Sequence, residues 1–161
     1  MIQRSWLQIA AMGSAACSPN SSTSAARPGT VAPTGAAAGA ESVVKEFMQA
    51  VADSNHAKMA DLWGSAKGPA ARTKEPADYE RRIVVMQVYL RDSPYRILSN
   101  AQDGTNVARR VLQVEVKRDK CVKIVPFTAV LGSGNQWIIT SIDLALLGSP
   151  GANCSEDDKK E

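Results

Sequence analysis

ESVVKEFMQAVADSNHAKMADLWG, residues 41–64, is the stretch whose reading decides the fold. Val44, Phe47, Met48 and Val51 recur at i, i+3, i+4 and i+7, so one face of a helix is apolar. Asp53-Ser54-Asn55 then breaks the period and offers an N-cap for a second helix. In that second helix Met59, Leu62 and Trp63 are the residues to bury. A close-set helix pair of this kind leads a small α+β domain and needs an apolar surface to cover.

The residues that follow supply that surface. Ser65–Lys74 is rich in Gly, Ala, Lys and Pro and reads as a loop. Pro76 suits the first turn of a third helix, where a missing N–H leaves no bond unmade. Tyr79, Ile83, Met86 and Leu90 repeat at helical spacing with Arg81 and Arg82 beside them. Asp92-Ser93-Pro94 ends that helix, because the residue before proline avoids helical angles. Tyr95–Asn100 is a strand leading to the hairpin signal Asp103-Gly104. Val107–Arg118 alternates, with Leu112, Val114 and Val116 on one face and Gln113 and Glu115 on the other. Cys121–Leu131 is apolar on both faces over Val122–Val125 and carries Pro126, so it bulges there or lies at an edge. Gly132–Asn135 turns the chain into the last strand, Trp137–Leu144. The expected fold class is α+β, with helices packed on one face of a curved antiparallel sheet.

The chain ahead of residue 41 reads as address and tether. Met1–Cys17 has a cation at Arg4, a short apolar run through Trp6, Leu7 and Ile9–Met12, and then small residues. That order is a signal peptide over residues 1–16, with an apolar run too short to span a bilayer. Ser14-Ala15-Ala16-Cys17 resembles the bacterial lipobox, although Ser14 stands where that motif prefers leucine. The resemblance implies lipidation at Cys17, because only its sulfur can take a thioether-linked diacylglyceryl group. The same Ser-x-Ala also suits an ordinary signal peptidase, which would release a secreted or periplasmic protein instead. Residues 17–40 continue as a Ser/Pro/Ala/Gly tether, too poor in apolar side chains to offset its ordering entropy. As a flexible coil it holds its ends on the order of 25–30 Å apart. The expected domain spans 41–148, followed by a flexible polar tail over 149–161.

Composition narrows function more than it assigns it. The chain of 161 residues carries a net charge of +3, spread over Arg81-Arg82, Arg109-Arg110 and Lys117–Lys123 with acids between. A nucleic-acid binder would gather its cations on one face and add exposed aromatics. Neither pattern is present, so nucleic acid is not an expected partner. No His, Cys or carboxylate group has metal-ligand spacing, and no phosphate loop or nucleophile elbow occurs, so no metal and no cofactor are expected.

VVKEFMQAVADSNHAKMADLW, residues 43–63, and NQWIITSIDL, residues 135–144, resemble the nuclear transport factor 2-like superfamily, a cone made by a bent sheet round a long helix. A cystatin-like arrangement of one helix on a meander is the runner-up. The superfamily includes ketosteroid isomerases and dehydratases, which sets a test for catalysis. Phe47 stands where the isomerase has a hydrogen-bonding tyrosine, and phenylalanine cannot donate to an oxyanion. The general-base aspartate should follow the second helix, but Gly64–Thr73 holds no carboxylate. The only histidine, His56, falls in the polar break between helices rather than in a pocket.

No catalytic residues are therefore assigned. Phe47, Trp63, Tyr79, Tyr89, Arg110 and Trp137 are the candidates to line a cone cavity, against the plainer reading of core and rim residues. Cys121 and Cys154 remain once Cys17 is lipidated, and in an oxidising compartment an even pair points to a disulfide. The expected protein is an envelope lipoprotein, held at the membrane by its lipid, whose domain binds a small apolar ligand or an envelope protein. A homodimer fits the same surface. The alternative is a lyase or isomerase of the ketosteroid isomerase or dehydratase type working in the cone.

Overall fold

The computed structural model describes residues 35–118 and 121–150. Its first helix, α1 (Gly35–Ala52), buries Val44, Phe47, Met48 and Val51 on the face set out by the sequence, and Ala37, Ala40 and Val43 extend it. The helix starts at Gly35, inside the stretch expected to be tether. Alanine is the strongest helix former, and here small residues also let the backbone come close to the sheet. A Cβ on Gly39 would stand 2.5 Å from both Cδ1 and Nε1 of the Trp137 indole, so only glycine lets that ring lie against the helix.

A polar tie fixes the same turn. Asn100 donates from Nδ2 to the Ala37 carbonyl at 2.8 Å and to Glu41 Oε1 at 3.3 Å. Arg110 in turn donates from Nε and Nη2 to the side-chain and backbone oxygens of Asn100. We expect Asn100→Ala to cost about 1–2 kcal/mol, since it removes partly buried hydrogen bonds and leaves their partners short of one. Urea denaturation measures the loss, and amide exchange should quicken selectively in the first turns of α1. Unchanged stability and exchange would show that packing alone holds this end of the helix.

The end of α1 is closed by a left-handed residue. Ser54 has φ 53°, its N–H reaches the Val51 carbonyl, and the Asn55 N–H reaches that of Ala50. This is the six-to-one and five-to-two pattern of a Schellman stop. Asn55 then caps α2 (His56–Leu62) by accepting from the Lys58 N–H at 3.0 Å. One short polar break thus ends one helix and starts the next.

The stretch expected as a plain loop has structure of its own. Gly64–Ser65 (β1) pairs antiparallel with Gly68–Pro69 (β2), and Ala70–Thr73 forms the short α3. Lys74, with φ 56°, ends α3. Pro76 lies outside the next helix, in a turn closed from the Tyr79 N–H to the Pro76 carbonyl at 2.8 Å. Pro76–Asp78 belong to this turn, so α4 (Tyr79–Leu90) begins later than the proline suggested. It buries Ile83, Met86 and Leu90, the expected face.

The sheet is antiparallel throughout, in the order β3 (Tyr95–Asp103), β4 (Asn106–Arg118), β5 (Cys121–Leu131), β6 (Trp137–Ile142). Leu112, Val114 and Val116 face Val125, Phe127, Ala129 and Ile139 on one buried side, and the helices cover it. Gln113 and Glu115 lie on the other side, as alternation requires. Val122 and Ile124 are about half exposed there, at 50% and 52%, so the apolar run in β5 is not buried on both faces. Its Pro126 lies where β6 has already ended, since the ladder between them runs only from Phe127. The bulge falls further on, at Thr128/Ala129, where Thr140 is the extra residue of β6. The last strand stops at Ile142, and Leu144–Leu147 is a 3₁₀ turn rather than more strand. Trp63 bridges Ile139 in parallel, so the segment after α2 covers the outer edge of β6. Helices packed on one face of a four-stranded antiparallel sheet make the fold α+β.

Candidate functional site

The end of α2, the first turns of α4 and the bulged part of β6 leave a cleft of about 300 Å³ between them. Each element contributes for a local reason. Trp63 leaves α2 in an extended conformation and is held to β6 by its bridge, so its ring, only 8% exposed, forms the floor. Met86 comes from the buried face of α4, and Ile142 and Leu144 from the point where β6 gives way to the 3₁₀ turn. The bulge brings the hydroxyl residues Thr140 and Ser141 side by side into the lining. Thr140 directs its Oγ1 at the Thr128 carbonyl at 3.4 Å.

Asp78, Arg81 and Arg82 bring charge to the rim. Arg82 Nε lies 2.9 Å from Asp78 Oδ1. That hydrogen bond is the main reason the Asp78 carboxyl sits below its ordinary value, with attraction to Arg82 and Arg81 adding to it. A carboxylate whose folded value is lowered has its full pairing above the unfolded value. It loses that pairing as the pH falls through the lowered folded value, so the ion pair is intact at neutral pH. Arg81 is different. It makes no hydrogen bond or ion pair among the described residues and acts on Asp78 only from a distance. The cleft therefore combines an apolar floor, two hydroxyls, one committed ion pair and one uncommitted guanidinium.

A second, more polar cleft of about 200 Å³ lies between β2, α3 and the Gly132–Gly134 turn. Its two cations are already engaged, Lys67 with Glu75 at 3.0 Å and Arg72 with Gln136 at 2.8 Å.

The six residues expected to line one cavity are dispersed. Trp63 lines the larger cleft, as described. Phe47 is wholly buried in the core, where the space between α1 and the sheet is filled. Tyr79 and Tyr89 are half-buried against that core, and the Tyr79 hydroxyl meets Lys74 and Glu80. Arg110 holds Asn100 at the start of α1, and Trp137 lies against Gly39. His56 is the exposed first residue of α2. Cys121 opens β5 opposite Arg118, whereas Cys17 and Cys154 lie outside the described residues. Sequence reasoning missed Thr140, Ser141, Met86 and Leu144 as neighbours. The helical spacing placed Arg81 beside the right face, but nothing in the chain marked which of the two arginines would be left without a carboxylate.

Among the described residues no three His, Cys, Asp or Glu side chains could share a metal ion, and no helix is long and apolar enough to cross a membrane. No protein-family model and no curated protein matches the chain. Among solved structures it is similar to a protein of unknown function with cystatin-like fold from Methylobium petroleophilum PM1. The two share 15% identity over 77% of this chain and 85% of that one, with a TM-score of 0.42.

Proposed function

We propose that the chain is an envelope lipoprotein, anchored through Cys17, whose α+β domain binds a small and largely apolar molecule without transforming it. The observation that carries the binding reading is the cleft over Trp63. Its volume of about 300 Å³ matches the lower end of small-molecule sites, and an apolar lining with a few placed polar groups is their usual character. The non-catalytic reading rests on the chemistry of the rim. The one carboxylate there, Asp78, is held in its charged form by Arg82, which makes it a poor acceptor of a substrate proton. His56 belongs to another part of the surface.

The disulfide between Cys121 and Cys154 belongs to the same proposal. Arg118, opposite Cys121 in the ladder, donates to the Leu147 and Ser149 carbonyls at 3.1 and 2.9 Å. Ser149, five residues before Cys154 in the sequence, therefore lies beside the strand pair that Cys121 opens, which supports the pairing. The nuclear transport factor 2-like relationship and the homodimer expected from the sequence also remain proposals.

The test is mass spectrometry of the full chain purified from a bacterial envelope. The denatured spectrum should show a chain beginning at Cys17, raised by its acyl groups and lowered by the two hydrogens of one disulfide. The native spectrum should show an additional bound small molecule that disappears in Trp63→Ala. An unacylated chain would overturn the anchor. Turnover of ketosteroids or hydroxylated aromatics by the pure protein would overturn the non-catalytic reading.

A further inference from the structure

We infer that the ligand of the Trp63 cleft carries a single acidic group, held by the guanidinium of Arg81. This rests on the binding reading above and names the chemical class of the molecule: a monoanion with a compact apolar body. Three observations lead to it. The lining holds two cations and one carboxylate, and the carboxylate is hydrogen-bonded to Arg82 at 2.9 Å. That leaves one guanidinium without a bonded counter-charge at the rim of the cleft. Arg81 makes no hydrogen bond or ion pair among the described residues, so all its donors are free for an oxyanion, which guanidinium can grip through two parallel bonds. Arg81 also lies in the first turn of α4 beside Arg82, where the positive end of the helix disfavours cations, and the one acidic side chain of that turn, Glu80, accepts from the Tyr79 hydroxyl. An acidic ligand would relieve that conflict, whereas a neutral or cationic one would leave it standing. The apolar floor of Trp63, Met86, Ile142 and Leu144 would then take the body of the molecule, with Thr140 and Ser141 at its side.

The experiment compares 4-phenylbutyrate with 4-phenylbutyramide, which share a shape and differ in charge, on the full chain and on its Arg81→Gln variant. Arg81 is exposed, so the variant should fold normally. The acid should bind about two- to fivefold more tightly than the amide, the upper part of the range for an exposed charge pair. Raising the salt concentration should shrink that ratio, and Arg81→Gln should bring it to one. Equal binding of acid and amide to the unaltered protein would overturn the acidic-ligand inference yet leave the cleft as a binding site. An acid preference that survives in Arg81→Gln would overturn the role given to Arg81. Binding of neither probe would overturn both the inference and the reading beneath it.

Discussion

Phe47→Ala is expected to destabilise the protein by about 3–5 kcal/mol, the range for removing a fully buried phenylalanine. Phe47 has no exposed surface and sits on the face of α1 that covers the sheet, with Phe127 of β5 equally buried in the same core. Two terms add up here. The lost ring forfeits its transfer free energy, and the remaining hole cannot close easily, because a helix and a hydrogen-bonded sheet are both stiff. Against a typical total stability of about 5–15 kcal/mol, such a loss removes from about a fifth to all of it. Urea denaturation checks it, with Val88→Ala as the comparison, since Val88 on the outer side of α4 is 38% exposed. A loss in Phe47→Ala no larger than that of Val88→Ala would mean that the core is not organised around α1.

Gly64→Ala is expected to cost about 3 kcal/mol, a large effect for one added methyl group. Its Cβ would stand 2.3 Å from the Gly68 carbonyl oxygen and 2.7 Å from the Ala70 nitrogen. Both are backbone atoms, so no side chain can rotate away, and β1 must part from β2 or the overpacking must be absorbed as strain. The damage should reach the cleft, because Trp63 is the next residue and its bridge to Ile139 fixes the floor. Thermal unfolding should fall and binding of any cleft ligand should weaken together. Gly134→Ala serves as the control: nothing lies within 4 Å of its Cβ, so the change should stay within about 0.5 kcal/mol. Equal effects of the two substitutions would show that the β1–β2 approach is not tight.

The fold was legible in the chain wherever a residue's surroundings repeat with a fixed period. The stripe Val44–Phe47–Met48–Val51, the face Ile83–Met86–Leu90 and the alternation Leu112–Val114–Val116 all turned up buried, as their spacing required. The polar break Asp53-Ser54-Asn55 did act as stop and cap, since those side chains and backbone angles work locally. What failed were judgements about composition. Ala and Gly before residue 41 looked like tether, yet Gly35–Ala40 is helix, because Trp137 and Asn100, itself held by Arg110, meet it from far along the chain. Likewise Ser65–Lys74 looked shapeless until the edge of β6 gave it something to lie against.

By itself, then, the sequence determined the helix pair, the third amphipathic helix, the antiparallel strands and the apolar side each presents. Periodic burial and local capping depend only on neighbours within a turn or two. Only the tertiary structure decided that the space beside Phe47 is filled and that Trp63, Arg81 and Thr140 converge on one cleft. The three residues lie far apart in the chain, and a one-residue bulge in β6 sets which of its side chains join them. Which arginine keeps an unpaired charge depends on a single carboxylate, Asp78, choosing Arg82 one turn along α4. Such choices follow from distances between folded elements, and no pattern of residue types along a chain contains them.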